Sequence, residues 1–148
     1  MKGSIAEEST SEQLAAEAAR LGGPQAVIHN ASITRDGLLV KMSLDDWQAV
    51  QDVNLLGAFL VSKHAVRKML RHRGGRLVYL SSISAVMGNA GQVNYAASKS
   101  GLEGLSRSVA QEYAGRGIST YRSLLEGQRD AGRLIHRRCP QWGQITIV

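Results

Sequence analysis

Two short apolar runs, Gln25-Ala26-Val27-Ile28-His29 and Arg76-Leu77-Val78-Tyr79-Leu80, are bounded by breakers and separated by a long stretch of helical pattern. Short apolar runs between glycine or proline signals fit buried strands. A helix between two strands lets them lie parallel, since a parallel pair needs a crossover and not a hairpin. The rest of the chain keeps this alternation. Ser9-Thr10-Ser11-Glu12 reads as a capping box, Leu14, Ala18 and Leu21 follow on one helical face, and Gly22-Gly23 stops the helix. Asn30-Ala31-Ser32 makes a turn after the first strand. Ser43-Leu44-Asp45-Asp46 opens a second helix, with acids where the helix dipole favours them, running through Trp47, Val50, Val53, Leu56, Leu60 and Ala65 to about Met69.

After the second strand, Ser81 to Gly91 reads as a small-residue loop, and about Asn94 to Tyr113 as a third helix closed by Gly115 and Gly117. Helix, strand, helix, strand, helix predicts an α/β fold with parallel strands. Past Ile118 the pattern stops: Ser119 to Val148 shows neither a convincing strand nor a long amphipathic helix. The chain therefore divides into an ordered part, 1–118, and an Arg-rich tail, 119–148.

A length of 148 residues suits one domain, and no apolar run is long enough to span a bilayer. The acidic start, with Glu7 and Glu8, lacks the apolar core of a signal peptide, and Cys139 has no second cysteine to pair with. A reducing cytoplasm is the expected location. The net charge of +6 is shared equally between residues 1–116 and the last 32. No zinc-finger spacing, aromatic platform or basic recognition helix accompanies it, so neither nucleic acid nor a bound metal is expected.

Tyr95-Ala96-Ala97-Ser98-Lys99 sets a phenol and an amine one helical turn apart on one face. A neighbouring ammonium favours the phenolate, so such a tyrosine can exchange a proton with a carbonyl or alcohol. A surface Tyr–Lys pair is common, and alone it defines no site. Ser82 lies 13 residues before Tyr95, directly after an apolar strand, where a loop can turn its hydroxyl towards the phenol. Asn54 interrupts the apolar stretch Val53-Asn54-Leu55-Leu56, so its amide needs polar partners.

Asn54, Ser82, Tyr95 and Lys99 resemble the active-site tetrad of the short-chain dehydrogenase/reductase family, in particular its ketoacyl reductases. The likeness extends to Ile33-Thr34-Arg35-Asp36-Gly37-Leu38-Leu39, Met87-Gly88-Asn89-Ala90-Gly91-Gln92 and Asn94 through Lys99, over about Ser9 to Ile118. It implies NADPH-dependent reduction of a 3-oxoacyl thioester, free or carried on an acyl carrier protein, to a 3-hydroxyacyl thioester. Tyr95 would be general acid, and Lys99 would lower its pKa and hold the nicotinamide ribose. Ser82 would orient the carbonyl, and Asn54 would hold a water linking Lys99 to solvent. Asn30, Ala31 and Ser32 match the family's cofactor-side Asn-Ala-Gly turn, with Ser32 in place of glycine. Arg73 and Arg116 match basic positions that can face an acidic carrier protein; solvated arginines at helix ends are the plainer reading.

The resemblance also implies a Rossmann-like three-layer fold, here partial. No strand followed by the family's G-x-x-x-G-x-G turn precedes Ser9, so the first cofactor-binding βαβ segment is expected to be lacking. An alternative follows: a truncated, catalytically inactive relative that acts through helix-mediated association. The two long helices resemble those that pair in the family's oligomers, so a homo-oligomer is expected under either reading.

Overall fold

A computed structural model describes residues 3–72, 74–125 and 145–147. The elements are α1 (Glu8–Arg20), β1 (Ala26–His29), α2 (Leu44–Gln51), a π-helical turn (Asp52–Leu56), α3 (Gly57–Met69), β2 (Gly75–Ser82), α4 (Ser84–Met87), α5 (Val93–Tyr113), β3 (Ile118–Leu125) and β4 (Ile145–Ile147). Every pairing in the sheet is parallel, in the order β3-β2-β1-β4. Ala26 lies opposite Arg76 on one side and Ile145 on the other, while Gly75 lies opposite Ile118. This is the α/β fold with parallel strands that the alternation implies, in the partial Rossmann-like form that the resemblance implies.

The core joins Val27, Leu77 and Tyr79 from the sheet to Ala58, Val61, Ala65, Val66 and Met69 of α3 and to Leu102 and Val109 of α5. Strand side chains alternate between faces, so this set comes from one face of the sheet. Helix packing against that face brings the start of α5 close to the π-turn. A Cβ on Gly101 would lie 2.7 Å from Leu55 Cδ2, so a larger residue there would force the two apart.

Local signals explain most of the boundaries. Ser43 Oγ accepts the Asp46 N–H at 3.1 Å and donates to the Asp46 carboxylate at 2.6 Å, a reciprocal cap for α2. Gly22 and Gly23 adopt positive φ after α1, with Gly23 N–H bonded to Ala18 O and Gly22 N–H to Ala19 O. That pattern closes the helix by satisfying its last carbonyls.

Three expectations need correction. Glu7 and not Ser9 flanks α1, without a side-chain cap; Ser11 instead donates to Ile5 O, and Glu8 accepts from Lys63 at 2.6 Å and lies 3.4 Å from His64 Nε2. Tertiary pairing of Glu8 with α3 replaces the local box. Leu21, read as sharing a helical face with Leu14 and Ala18, lies past the end of the helix and is 58% exposed.

Finally, Ile118 does not end the ordered pattern: β3 continues to Leu125 in register with β2 as far as Ser82. Ile118 is buried, and Thr120 exchanges hydrogen bonds with Ser106 of α5 at 3.1 Å. Ser119, Tyr121 and Arg122 are exposed, the polar decoration of an edge strand, which hides its period from an apolar pattern. Residues 145–147 form a further strand in the same stretch. Cys139 lies outside the described residues.

Candidate active site

Of the expected tetrad, Tyr95 and Lys99 lie in the first turns of α5, Ser82 ends β2 and Asn54 sits in the π-turn. Lys99 is buried, and its Nζ donates to the Leu80 carbonyl at 2.9 Å while lying 5.5 Å from the centroid of the Tyr95 ring. That separation is within cation–π range. Burial removes water from the ammonium and lowers the Lys99 pKa to about 8. The i,i+4 spacing thus puts the two side chains together, as the sequence implies.

Asn54 sits in the π-turn and is 2% exposed. Its Oδ1 accepts the Ile33 N–H at 2.8 Å, and its Nδ2 donates to Ile33 O at 3.0 Å and to Ser98 Oγ at 3.1 Å. The polar partners demanded by its apolar neighbourhood are therefore the loop after β1 and the second turn of α5. A π-turn inserts an extra residue and rotates the following positions, a device frequent at functional sites. Both N–H donors of the amide are engaged by protein groups, while Oδ1, with one bond made, keeps a second acceptor site.

Ser82 is the last residue of β2 and not a loop residue. Its Oγ accepts the Ser84 N–H at 3.2 Å, and no hydrogen bond joins it to Tyr95 among the described residues. Its hydroxyl proton is uncommitted in that arrangement and is available to a bound carbonyl. Asn30 is exposed, and Ala31 and Ser32 are half-buried, at the carboxyl end of β1. Ser32 Oγ is buried without a hydrogen-bond partner. That hydroxyl is a buried polar group beside the turn that a polar partner would satisfy.

Of the two basic positions, Arg116 is exposed at the turn after α5 and forms no ion pair among the described residues. Arg73 lies outside them. Two site residues escape the sequence reading: Asn94 and Ser98, each 0% exposed. Ser98 Oγ donates to Tyr95 O at 2.8 Å while accepting from Asn54. The available signal was two polar residues four apart on the helix, on either side of the tyrosine.

The parallel α/β sheet and the Tyr95–Lys99 pair are the features to set beside known proteins. The short chain dehydrogenase family model matches residues 1–122, and the chain belongs to that family. Among curated relatives, the 3-oxoacyl-(acyl-carrier-protein) reductase of Synechocystis sp. is 47% identical over 93 residues, covering 63% of this chain and 38% of the relative. That of Salmonella typhimurium is 45% identical over 112 residues, covering 76% and 45%. That of Pseudomonas aeruginosa is 41% identical over 142 residues, covering 86% and 58%. The chain thus spans between 38% and 58% of the length of these relatives.

Proposed function

We propose that the chain carries the proton-transfer site of an NADPH-dependent reductase acting on 3-oxoacyl thioesters, carrier-bound or free. The observation supporting this reading is the buried Lys99 ammonium set 5.5 Å from the ring of Tyr95. Bound NADPH would supply hydride chemistry at the substrate carbonyl carbon. Tyr95 donates its phenolic proton to the carbonyl oxygen, and the Lys99 charge stabilises the phenolate that remains. Ser82 Oγ–H donates to the same oxygen and holds the carbonyl in place. Asn30, Ala31, Ser32 and Lys99 form the cofactor side of the site, where Ser32 Oγ is buried without a hydrogen-bond partner. A cytoplasmic location accords with this substrate class, and no helix among the described residues is long and apolar enough to cross a membrane.

Tyr95→Phe tests the assignment. Acetoacetyl-CoA-dependent oxidation of NADPH should fall by about 10²–10⁴-fold, the worth of a positioned acid, while NADPH affinity stays. Because Lys99 loses its charge above a pKa of about 8, turnover should also decline on the alkaline side of that value. Turnover unchanged in the Tyr95→Phe protein would remove the basis of the reading.

A second reading has its own support. Leu56 and Phe59, on the π-turn and α3, are 40% and 45% exposed. Apolar side chains on that surface suit helix-mediated association, with or without turnover. Light scattering should show an oligomer that Phe59→Glu dissociates; a stable monomer at high micromolar concentration would count against it. An acidic carrier protein as partner rests on Arg73 and Arg116, and Arg116→Glu should weaken that binding selectively.

A further inference from the structure

The buried Asn94 touches three segments of the fold at once. Its Oδ1 accepts the Tyr95 N–H at 2.7 Å, and its Nδ2 donates to the Arg35 carbonyl at 2.9 Å and to the Asp46 carbonyl at 3.4 Å. Its own main-chain carbonyl accepts Gln51 Nε2 at 2.8 Å. The first turn of α5, the loop after β1 and α2 therefore meet on one side chain. Only a primary amide can accept and donate in this way: a carboxylate lacks the donors, and an apolar side chain lacks both.

Tyr95 is consequently held at both ends of its main chain. Asn94 takes its N–H, while Ser98 binds its carbonyl and is itself bonded to Asn54. The same two asparagines also grip the loop, Asn54 at Ile33 and Asn94 at Arg35. That loop continues directly from the Asn30–Ser32 turn, whose Ser32 hydroxyl is buried and unpartnered. Displacing the loop relative to α5 would break the Asn94–Arg35 bond and, through Asn54, either its bonds to Ile33 or its bond to Ser98.

We propose that Asn94 is a positioning residue that locks the main chain of Tyr95 to the loop following the Asn30–Ser32 turn, so that the phenol and the cofactor-side turn keep one fixed separation. Helix capping alone needs only the bond to the Tyr95 N–H. Positioning needs the bond to Arg35 as well, and two variants separate these roles. Asn94→Ala removes both bonds. Asn94→Asp keeps an acceptor for the Tyr95 N–H but sets an oxygen against the Arg35 carbonyl.

The kinetic arm of this inference rests on the reductase reading. Asn94→Ala should lower kcat for acetoacetyl-CoA reduction by about tenfold or more, because small misplacements of a reacting group carry large rate penalties. KM for NADPH should stay within about threefold, since no binding group is removed. Asn94→Asp should keep turnover low while the Tyr95 amide remains protected from hydrogen exchange and the amides of residues 33–36 exchange faster. The proposal is overturned if turnover in Asn94→Ala stays within about twofold of the parent, or if Asn94→Asp restores full turnover. It is equally overturned if the loss in Asn94→Ala merely follows the unfolded fraction in a urea titration.

Absence of turnover in the parent chain would defeat the reductase reading separately. Amide exchange then decides the proposal alone. Faster exchange at Tyr95 and the loop in Asn94→Ala, but only at the loop in Asn94→Asp, supports it; exchange unchanged in both variants refutes it.

Discussion

At the start of α5, Asn54, Asn94 and Ser98 share hydrogen bonds with Ile33, Arg35, Asp46 and Tyr95, and none of their side-chain polar atoms lacks a partner. Inside the sheet, a second buried cluster is less complete. His29 Nε2 and Tyr79 OH lie 3.1 Å and 2.8 Å from Ser62 Oγ, and the two rings stack at 4.8 Å with planes 8° apart. Ser62 donates its single proton to Ala58 O at 2.7 Å, so it accepts from both rings. That arrangement makes Nε2 the protonated nitrogen of His29 and leaves Nδ1 a buried lone pair without a donor.

The difference teaches what each cluster can do. A saturated network defines one arrangement of backbone and so can position chemistry. A network with an open lone pair still ties β1, β2 and α3 together, but it is exposed to protonation. Burial accordingly holds the His29 pKa down at about 3 and pushes Tyr79 up to about 12.

Removing the central amide of the saturated cluster should have the largest effect on stability. Asn54→Ala leaves the Ile33 N–H, the Ile33 carbonyl and the Ser98 hydroxyl short of partners, and should cost about 3 kcal/mol or more in urea unfolding. A change below roughly 1 kcal/mol would show that water replaces the amide and that the cluster is not rigid.

Acid should strike the sheet cluster next. His29 is neutral in the fold while the unfolded chain binds a proton below its ordinary pKa of 6.5, so the unfolded state carries more protons between about pH 3 and 6.5. Stability from this group is complete above 6.5 and is lost as pH falls, by up to about 1.4 kcal/mol per pH unit. Thermal unfolding followed from pH 7 to 4 should show this slope, and His29→Gln should flatten it. A parallel slope in both proteins would assign the acid sensitivity elsewhere.

Tyr79→Phe should have a smaller effect, about 1 kcal/mol, because the ring stack stays and only the hydroxyl bond to Ser62 is lost. If it proves as harmful as Asn54→Ala, the contrast between the clusters fails. Ser43→Ala, outside both clusters, should cost about 1 kcal/mol or less through the lost cap of α2. It calibrates the scale, since its partner Asp46 lies in the same exposed turn.

Much of the site was readable because it is local. The four-residue spacing of Tyr95 and Lys99 fixes their neighbourhood once a helix forms, and Asn54 announced itself as an amide in an apolar run. Ser82 was legible as a position at a strand end, but its hydroxyl's partner, the Ser84 amide, depends on the turn into α4. Asn94 and Ser98 were missed because the partners that join them to the rest of the fold are 44 to 59 residues away in sequence. Small polar residues at a helix start look alike until the segments that bury them are in place.

By itself the sequence determined the alternation of helices and strands, the parallel sense of the sheet, the stop after α1, the cap of α2 and the facing of Tyr95 towards Lys99. Each follows from periodicity or contacts within a few residues, where chain connectivity leaves little choice. Tertiary structure decided that Glu8 pairs with α3, that β3 carries the ordered pattern beyond Ile118, and that two asparagines bind one loop to the start of α5. Those outcomes depend on which distant backbone groups burial leaves in need of a partner, and only the packed sheet and helices present them together.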